Sequence, residues 1–428
     1  MRISAKAKAL YAILLLGVLQ LNVSAQDFAE RIKADPGIAC GVYHPYIHGD
    51  MSDTPAPKGY KPFYVSHFGR HGSRYHTTES YFKAAMEGLS KADEMGILNE
   101  TGKQLYADVQ TLLKAHNGME GELSPLGGRE HKAIAARMYA RFPEAFNSRT
   151  RTEVECVAST ITRCIISMAN FSESLSSCRP ELDFTFFTGK KYFEYIMKEG
   201  PYRKEISAGC KAFSDSLRTA ICRHDKMYSS IFTDLEKAGE AVKNPQSFMY
   251  SLYMAGAICL DLDFLGLDIF KYFDNEELVQ QAKVRSGKMY AEYGNSAEWG
   301  EKSSIAADDL LKDFIAKADA AMKDESRRAA DLRFGHDTGI LPLMGLIGIK
   351  EMSERIPSDG SWEYWTSCDR IPMASNFQMV FFRNRKGEVL VKMLYNEQET
   401  TIPALTPTTG PYYSWETLRS YLQSKVSD

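Results

Sequence analysis

The chain has 428 residues, of which 44% are hydrophobic, so it can bury a substantial core as two domains or as one large domain with an insertion. Its 52 Lys and Arg residues nearly balance 55 Asp and Glu residues, which leaves a formal net charge of −3. No overall field therefore points to nucleic acid or to an anionic membrane as a partner. Any site that binds anions must be local.

The first 25 residues have the pattern of a signal peptide. Three basic residues (Arg2, Lys6 and Lys8) precede the apolar run ALYAILLLGVLQL, and the small residues of VSA end at Ala25. A retained anchor helix is the alternative, but the apolar run is shorter than the roughly 20 residues that a bilayer requires. We expect a mature chain that begins near Gln26, has no membrane span and is periplasmic or secreted.

The periodicity of the chain predicts alternating strands and helices at first. Buried strands are predicted at YKPFYVSHFG and VECVAST, and the helical pattern TRCIISMANFSESL follows the second. A third strand is predicted at ELDFTFFTG, after which residues from about 190 to 325 are almost wholly helical in pattern. Strand character returns at LRFG, and FQMVFFRNRKGEVLVKML predicts a hairpin with its turn at Lys386-Gly387.

This order of elements predicts an α/β fold, a mainly parallel sheet flanked by helices with a mostly helical second domain inserted. The expected parts are the signal peptide (1–25), the first part of the α/β core (26–188), the helical insertion domain (189–326) and the second part of the core (327–428). The apolar stretch FMYSLYMAGAICLDLDFLGLDIF contains three aspartates, Asp261, Asp263 and Asp268. Those charges favour a buried helix with an acidic edge over a membrane span.

Cysteine usage gives little information about pairing. Export makes disulfides possible, and the eight cysteines are even in number, but their connectivity cannot be deduced from the sequence. No CxxC spacing or cysteine-histidine cluster indicates zinc. We expect buried free thiols together with one or two disulfide bridges.

The stretch HFGRHGSRYH, residues 67–76, follows directly on the first predicted strand. Ligands of open α/β sheets bind beyond the carboxyl ends of strands, and the glycines here allow a tight backbone turn. Arg70 and Arg74 suit a tetrahedral anion, because each guanidinium can donate paired hydrogen bonds to phosphate oxygens. Neutral His71 can attack phosphorus, and a backbone carbonyl would fix which ring nitrogen faces the substrate.

Two other interpretations of this stretch stay open. The side chains could form ion pairs on a surface loop. Alternatively, His67, His71 and His76 could bind a metal, although such spacing ligates a metal well on a helix and the glycines disfavour a helix.

Two motifs resemble those of a known family. RHGSR resembles the RHGxR signature of the histidine acid phosphatases, the second branch of the histidine phosphatase superfamily, which includes phytases and multiple inositol polyphosphate phosphatases. FGHDTG, residues 334–339, resembles the HD motif that lies downstream in the same family, after a helical insertion. The order and spacing of the motifs and the strand before each also agree, so the resemblance extends from about residue 40 to the C-terminus.

The resemblance implies a metal-free phosphomonoesterase that uses no cofactor. His71 would attack phosphorus and become a phosphohistidine, while Arg70 and Arg74 neutralise the equatorial oxygens. Asp337 would protonate the leaving alkoxide and later activate water, and His336 would be a further donor to the phosphate.

A third arginine is implied by a segment between the two motifs. ASTITRCIISMANF resembles the family segment that supplies this arginine, which here is Arg163. It lies in the first turn of a predicted helix, whose positive end adds to anion binding. His224-Asp225 is a rival HD pair, but no strand precedes it, and we predict that it lies on a solvated helical face.

The substrate is the least constrained part of the prediction. Phytate or another inositol polyphosphate is implied by the resemblance, and further phosphates could meet four nearby cations, Arg149, Arg151, Lys190 and Lys191. His76 replaces a proline frequent in the family, and His336-Asp337-Thr338 replaces the histidine-alanine-glutamate motif frequent among inositol polyphosphate phosphatases, so the proton donor is phytase-like. The alternatives are a broad-specificity acid phosphatase acting on sugar phosphates or nucleotides, a metal-dependent hydrolase, and a non-catalytic protein that binds phosphate esters. The oligomeric state cannot be deduced.

Overall fold

A computed structural model describes residues 28–49, 51–196 and 199–427 of the chain. Its centre is a mixed sheet with the strand order β3-β2-β4-β1-β5-β6-β7, and β8 pairs with β6. The strands are β1 (Lys61–Arg70), β2 (Glu153–Ala158), β3 (Asp183–Thr188), β4 (Arg328–Gly335), β5 (Asn376–Arg383), β6 (Val389–Tyr395), β7 (Gln398–Thr400) and β8 (Tyr412–Ser414).

Helices surround this sheet. The α-helices of the described residues are α1 (Phe28–Ala34), α2 (Ser80–Glu94), α3 (Glu100–His116), α4 (Pro125–Arg141), α5 (Pro143–Phe146), α6 (Thr162–Cys178), α7 (Phe193–Ile196), α8 (Arg203–Ile221), α9 (Asp225–Ile231), α10 (Leu235–Ala241), α11 (Pro245–Gly256), α12 (Asn275–Tyr293), α13 (Gly300–Ser304), α14 (Asp308–Met322), α15 (Asp337–Ile347), α16 (Ser367–Arg370) and α17 (Trp415–Gln423). Short 3-10 helices lie at Pro36–Tyr43, Lys190–Tyr192, Leu260–Leu265, Phe270–Tyr272, Ile305–Ala307, Lys350–Met352 and Ser361–Glu363.

The predicted strands and the predicted hairpin are confirmed. Strands β3, β2, β4 and β1 run parallel to one another, whereas β5 is antiparallel to β1 and to β6. The hairpin between β5 and β6 turns at Gly387, whose φ of +83° is readily adopted only by glycine. The sheet is therefore parallel in its first half and antiparallel in the part added by the C-terminal residues.

Alternation along β1 separates two cores. Tyr64 and Phe68 belong to a large apolar cluster on one face, while Val65 belongs to a second cluster with residues of α4 and α6 on the other face. Burial of each large apolar side chain contributes about 1.5–3 kcal/mol, so both faces fix the register of β1 strongly. The strand that carries the predicted nucleophile is thus held from both sides.

The helical region is packed against helices from elsewhere in the chain. Helix α2 contacts α11, α3 contacts α9, and α8 contacts α12. Residues of all these segments except α8 contribute to the same large apolar cluster as the sheet. The division of the chain at residues 189 and 326 stays a prediction.

The apolar stretch 248–270 differs from the single buried helix that the sequence predicts. Helix α11 ends at Gly256, where a Cβ would lie 2.5 Å from the ring of Phe270, and short 3-10 turns follow. Close packing against Phe270 therefore ends the regular helix. Asp261 is completely buried and not on an exposed edge. In the described part of the chain, no helix has the length and apolar character needed to cross a membrane.

Two expectations about export have different outcomes. The predicted signal peptide, residues 1–25, lies outside the described residues. All eight cysteines are free thiols, and seven of them are buried. The expectation of buried thiols is confirmed, whereas that of one or two bridges is wrong in this structure.

Candidate active site

The carboxyl ends of β1 and β4 bring the two sequence motifs together. The strands are adjacent and parallel, and Arg70 pairs in register with Gly335. The backbone N–H of His71 donates to the carbonyl of Gly335 over 2.9 Å, and Ala374 N–H donates to the carbonyl of His71 over 3.0 Å. The main chain at His71 is therefore fixed on both sides next to His336 and Asp337.

His71 is a buried, neutral imidazole. Its Nδ1 lies 2.9 Å from the carbonyl oxygen of Gly72, which can only accept, so Nδ1 carries the proton and Nε2 keeps its lone pair. Burial lowers the pKa of His71 well below its usual value, and the charges of Arg163, Arg70 and Arg74 lower it further. The ring is therefore held in its neutral form, with a lone pair on Nε2.

The buried guanidinium group of Arg70 is held from behind. Its Nη1 donates to the carbonyls of Val42 and Ile371, each over 2.7 Å, and its Nη2 lies 3.0 Å from Oδ2 of Asp337. Burial lowers the pKa of Arg70, and the charge of Asp337 counteracts that effect. The position of this cation is fixed by backbone groups, which leaves Nε without a hydrogen-bond acceptor and Nη2 with the ion-pair contact to Asp337.

Arg74 and Arg163 complete the cationic set. Arg74 donates from Nη1 to the carbonyl of Tyr75 over 2.8 Å and lies over the ring of Tyr43, 5.2 Å from its centroid. Arg163 donates from Nη1 to the carbonyl of Gly121 over 3.3 Å. The Nε atoms of both side chains are buried without a hydrogen-bond partner. Among the described residues, Asp337 is the one carboxylate in ion-pair contact with any of the three arginines.

His336 and Asp337 lie at the start of α15. The His336 ring centroid is 5.5 Å from that of His71, and its Nε2 lies 3.1 Å from the hydroxyl oxygen of Ser159. Burial and the charge of Arg163 lower the pKa of His336 to about 3. For Asp337, burial raises the pKa, but the charge of Arg70 and the other cations outweighs burial and holds it below the usual value. In the free site, Asp337 is therefore a carboxylate.

The structure brings together the six predicted site residues, His71, Asp337, Arg70, Arg74, Arg163 and His336, around one pocket at the sheet edge. Arg70 contacts Asp337, Arg163 Nη2 lies 3.4 Å from Nδ1 of His336, and the charges of all three arginines act on the ring of His71. Such a group can hold an anion, attack it and exchange a proton with it.

Glu130 is a residue of this region that the sequence did not single out. Its carboxylate accepts from the N–H of Ser73 over 2.7 Å, from the Ser73 hydroxyl over 2.9 Å and from the N–H of Tyr46 over 2.7 Å. The sequence feature that could have indicated Glu130 is the glycine pair shortly before it. At Gly72 in the RHGSR loop, a Cβ would lie 2.5 Å from the carbonyl oxygen of Gly127, so the two backbones meet more closely than side chains would allow. Helix α4 therefore approaches the RHGSR loop closely, and Glu130 holds that loop in place.

Asp261, which is buried, and Arg285, which is partly buried, are two further titratable groups near the loop. Both carboxylate oxygens of Asp261 lack a hydrogen-bond partner, and burial raises its pKa well above the usual value. Burial therefore favours the neutral form of this acid, against the opposing charges of Arg74 and Arg70. Arg285 lies 5.5 Å from the ring centroid of Tyr43, and its Nη2 is 3.4 Å from the hydroxyl oxygen of that tyrosine. Tyr43 thus contacts two cations, Arg74 and Arg285.

The histidine triplet does not form a metal site. His67 packs on the opposite face of β1 from Phe68, with its ring 5.1 Å from that of Phe171. His76 is buried among aromatic rings, 5.4 Å from Tyr43 and 4.9 Å from Tyr81. The rings of His67 and His76 are occupied by these separate aromatic contacts, and among the described residues no group with metal-ligand spacing includes any of the three histidines. His76 fills an apolar gap where the family often has proline.

Four peripheral cations divide between the two edges of the sheet. Arg151 donates to the carbonyls of Ala321 and Lys323 at the amino end of β2, and Arg149 precedes it on the same side. Their predicted contact with a substrate phosphate is therefore wrong, because the pocket lies at the carboxyl edge. Lys190 and Lys191 follow β3 at that carboxyl edge.

The rival His224-Asp225 pair is placed as the sequence predicts. His224 precedes the first residue of α9, and its Nε2 lies 3.8 Å from Oδ1 of Asp225, whose side chain is 82% exposed. No strand of the described residues ends at this pair. It is a solvated helix start and takes no part in the pocket.

The fold and this site define a phosphomonoester hydrolase of the histidine acid phosphatase type. Residues 65–396 match the histidine phosphatase superfamily (branch 2), and the chain belongs to that family. The match includes both sequence motifs and the helical region between them.

Solved structures share the fold at low sequence identity. The multiple inositol polyphosphate phosphatase of Bifidobacterium longum in complex with phosphate is 19% identical, with a TM-score of 0.74 over 90% of this chain and 97% of that one. A phytase from D. castellii is 18% identical, with a TM-score of 0.65 over 91% of this chain and 85% of that one. The phytase from Citrobacter braakii is 11% identical, with a TM-score of 0.55 over 86% of this chain and 98% of that one.

Proposed function

We propose that the protein hydrolyses phosphomonoesters without a metal ion, through a phosphohistidine on His71, and that inositol polyphosphates such as phytate are among its better substrates. The observation that carries the first part is the convergence of three guanidinium groups, two of them buried and that of Arg163 partly buried, on one neutral imidazole. Such fixed charges stabilise the phosphoryl group as it is transferred, which is the role that a metal ion has in other phosphatases.

The first chemical step is attack by Nε2 of His71 on phosphorus. A nitrogen–phosphorus bond forms, the bond from phosphorus to the ester oxygen breaks, and its electron pair leaves with that oxygen. Protonated Asp337 gives its proton to the oxygen, so that an alcohol departs and not an alkoxide. Arg70, Arg74 and Arg163 donate to the three equatorial oxygens throughout.

The second step hydrolyses the phosphohistidine. Asp337, now a carboxylate, accepts a proton from water as the water oxygen attacks phosphorus. The nitrogen–phosphorus bond breaks, inorganic phosphate forms, and His71 returns to its neutral state. One side chain therefore acts first as an acid and then as a base.

The proton on Asp337 depends on the substrate. In the free site the arginines lower the pKa of this carboxyl group. A bound phosphate dianion neutralises much of that positive charge, so the pKa of Asp337 rises when substrate is present. The acid needed for the first step is then available at acidic pH, and we expect activity to decline from acidic toward alkaline pH.

The preference for inositol polyphosphates rests on the neighbours and on charge. The B. longum enzyme and the two phytases share the fold, and the B. longum enzyme has been solved in complex with inositol hexasulfate. Lys190, Lys191 and Arg285 are cations beyond the three that surround His71, and they could meet further phosphates. The alternative is a broad-specificity acid phosphatase that acts on sugar phosphates or nucleotides.

A substrate panel tests the proposal. Phytate, sugar phosphates, nucleotides and an aryl phosphate are compared at equal concentration, each with and without EDTA. We expect phosphate release from phytate among the highest rates and no loss with EDTA. If EDTA abolishes turnover, metal-independent hydrolysis is wrong. If phytate is untouched while simple monoesters react well, the broad-specificity alternative replaces the inositol polyphosphate preference.

Export is also part of the proposal. Expression of the full chain in a bacterium and N-terminal sequencing of the product should give a mature chain that begins near Gln26 in the periplasm or the medium. An unprocessed N-terminus in the membrane fraction would instead support a retained anchor.

A further inference from the structure

A second cluster of ligating side chains lies beside the segment that supports Arg163. A ring nitrogen of His116 and one carboxylate oxygen from each of Glu79 and Glu120 lie within 4.8 Å of one another. His116 is the last residue of α3, Glu79 immediately precedes α2, and Glu120 lies in the turn after α3. Two segments of the chain, the start of α2 and the end of α3 with the turn after it, therefore converge at this point.

The hydrogen bonding of His116 fixes its tautomer. The side chain is completely buried, and its Nε2 lies 2.8 Å from the carbonyl oxygen of His76. Because a carbonyl can only accept, Nε2 carries the hydrogen and the neutral ring keeps its lone pair on Nδ1. Nδ1 is buried and has no hydrogen-bond partner. A buried acceptor without a donor is costly unless something fills its place.

The groups around His116 call for a cation. Its unpartnered Nδ1 lone pair and the two carboxylates are all electron-rich, and the ligand atoms of the three residues lie within 4.8 Å of one another. Lys83 forms an ion pair with Glu79, but the Lys83 side chain is 66% exposed and belongs to the solvent side of the cluster. A cation between Nδ1 and the two carboxylates would satisfy all three at once.

We propose that Glu79, Nδ1 of His116 and Glu120 bind a transition-metal dication such as Zn²⁺, with water as the fourth ligand. One imidazole nitrogen and two carboxylate oxygens suit Zn²⁺, whereas Mg²⁺ and Ca²⁺ prefer oxygen ligands alone. The hydrogen bond from Nε2 to a backbone carbonyl is the arrangement that orients metal-binding histidines.

The site connects to the catalytic pocket through the backbone. The carbonyl of His76 accepts from Nε2 of His116 and from the N–H of Gly121 over 2.8 Å. The carbonyl of Gly121 in turn accepts from Arg163. An ion at Glu79, His116 and Glu120 would therefore hold the turn after α3 against the segment at His76 without touching the reacting atoms. Its role is structural, and it is independent of the proposed chemistry.

The test uses untagged full-length protein freed of metal and titrated with ZnCl₂ by isothermal calorimetry without substrate. We expect one equivalent to bind saturably and the melting temperature to rise with Zn²⁺. The variant Glu79→Gln/Glu120→Gln keeps both side-chain shapes, and we expect it to bind Zn²⁺ at least about 10-fold more weakly. The control Glu87→Gln removes an exposed carboxylate of α2 outside the cluster and should bind like the unchanged protein.

Two results would overturn the proposal. The first is the absence of saturable Zn²⁺ binding at one equivalent, which would mean that the cluster is not a metal site. The second is equal affinity of the double variant and the Glu87→Gln control, which would place any bound Zn²⁺ elsewhere. Both measurements are made without phosphate ester, so they are separate from the success or failure of the proposed phosphatase mechanism.

Discussion

Two groups of charged side chains lie on the same central strands, and they differ in how their charges are paired. On the side of the sheet that packs against α14, Lys317, Arg328 and Arg333 meet three carboxylates, those of Glu155, Asp313 and Asp331. Arg333 Nε lies 2.6 Å from Asp313, and Arg328 Nη1 lies 3.1 Å from Glu155. At the carboxyl edge of the same strands, Arg70 is paired with Asp337, whereas Arg74 and Arg163 have no carboxylate in ion-pair contact among the described residues.

The difference indicates which group is built for a ligand. In the first group, hereafter the paired network, each cation has a carboxylate partner, so the charges cancel and the group ties β2 and β4 to α14. In the second, the arginine pocket, positive charge exceeds negative charge and buried N–H groups lack acceptors. Uncompensated buried charge costs stability unless a ligand of opposite charge binds. An anion such as phosphate supplies that charge.

The largest expected effect comes from removing the nucleophile of the arginine pocket. His71→Ala should lower kcat by at least about 1,000-fold, because no other described group offers a lone pair at this position. The measurement is turnover of phytate and of an aryl phosphate, with circular dichroism to confirm folding. Quenching the unchanged enzyme with substrate should trap an acid-labile, base-stable phosphoenzyme that His71→Ala lacks. Activity within about tenfold of the unchanged enzyme would falsify the assignment.

Replacing the proton donor should reduce the rate by a factor that depends on the leaving group of the substrate. Asp337→Asn should reduce hydrolysis of alkyl phosphates by about 100- to 10,000-fold, because their alkoxides leave badly without a proton. Phosphorylation of the enzyme by an activated aryl phosphate should be spared. The measurement is single-turnover kinetics with matched alkyl and aryl esters. Equal losses for both esters would mean that Asp337 is not the proton donor.

A matched pair of arginine variants tests the comparison itself. Arg163→Ala should lower kcat/KM by about 100- to 1,000-fold with both ester types and leave thermal stability unchanged or slightly higher, since it removes a cation without a carboxylate partner. Arg328→Ala should do the reverse, with near-normal activity and a loss of about 1–3 kcal/mol in the free energy of unfolding. If both variants lose stability alike, the two groups do not differ as described.

A pH effect on stability should come from the buried histidines near the pocket. Burial lowers the pKa of His131 to about 3, so this side chain is neutral in the folded state, whereas the unfolded chain binds a proton near pH 6.5. Its contribution is present above pH 6.5 and is lost as the pH falls toward 3. His131→Leu should therefore reduce the slope of unfolding free energy against pH by up to about 1.4 kcal/mol per unit between pH 6 and 4.5. Urea denaturation at several pH values measures it, and an unchanged slope would contradict burial of neutral His131.

The smallest effect is expected at the neutral acid beside the arginines. Because burial raises the pKa of Asp261 well above its usual value, its folded form is uncharged, and Asp261→Asn replaces it with a group of similar shape and charge. We expect less than about a threefold change in kcat/KM and no change in its pH profile. A drop comparable with that of Arg163→Ala would show that Asp261 is ionised and balances the arginines.

The sequence predicted the parts of the site that depend on short local patterns. RHGSR and GHDTG each follow a buried strand, and parallel strand pairing then brings His71 and Asp337 to one edge. Arg163 was implied by the resemblance of its segment to the family segment, and it lies in the first turn of α6 as predicted. These residues lie where backbone geometry alone directs them.

What the sequence could not predict depends on contacts between distant segments. Glu130 is buried against Ser73 because helix α4 packs closely on the RHGSR loop. Asp261 is buried because packing of Gly256 against Phe270 ends the helix before it. Arg151 was suggested as a contact for a further substrate phosphate, but its side chain instead donates to the carbonyls of Ala321 and Lys323. The sequence does not show this contact between distant segments. Each case needs the tertiary fold.

The adjacency of β1 and β4 also constrains when the protein can become active. More than half of the chain separates the two strands, and β5, which covers the other side of β1, comes later still. During synthesis, the loop that carries His71 can therefore reach its final structure only after β4 and β5 have left the ribosome. Pairing over such distances in sequence is slow. A chain released before residue 383 would lack strand β5 or part of it, and its half-formed sheet would expose the long edge of β1 to other chains.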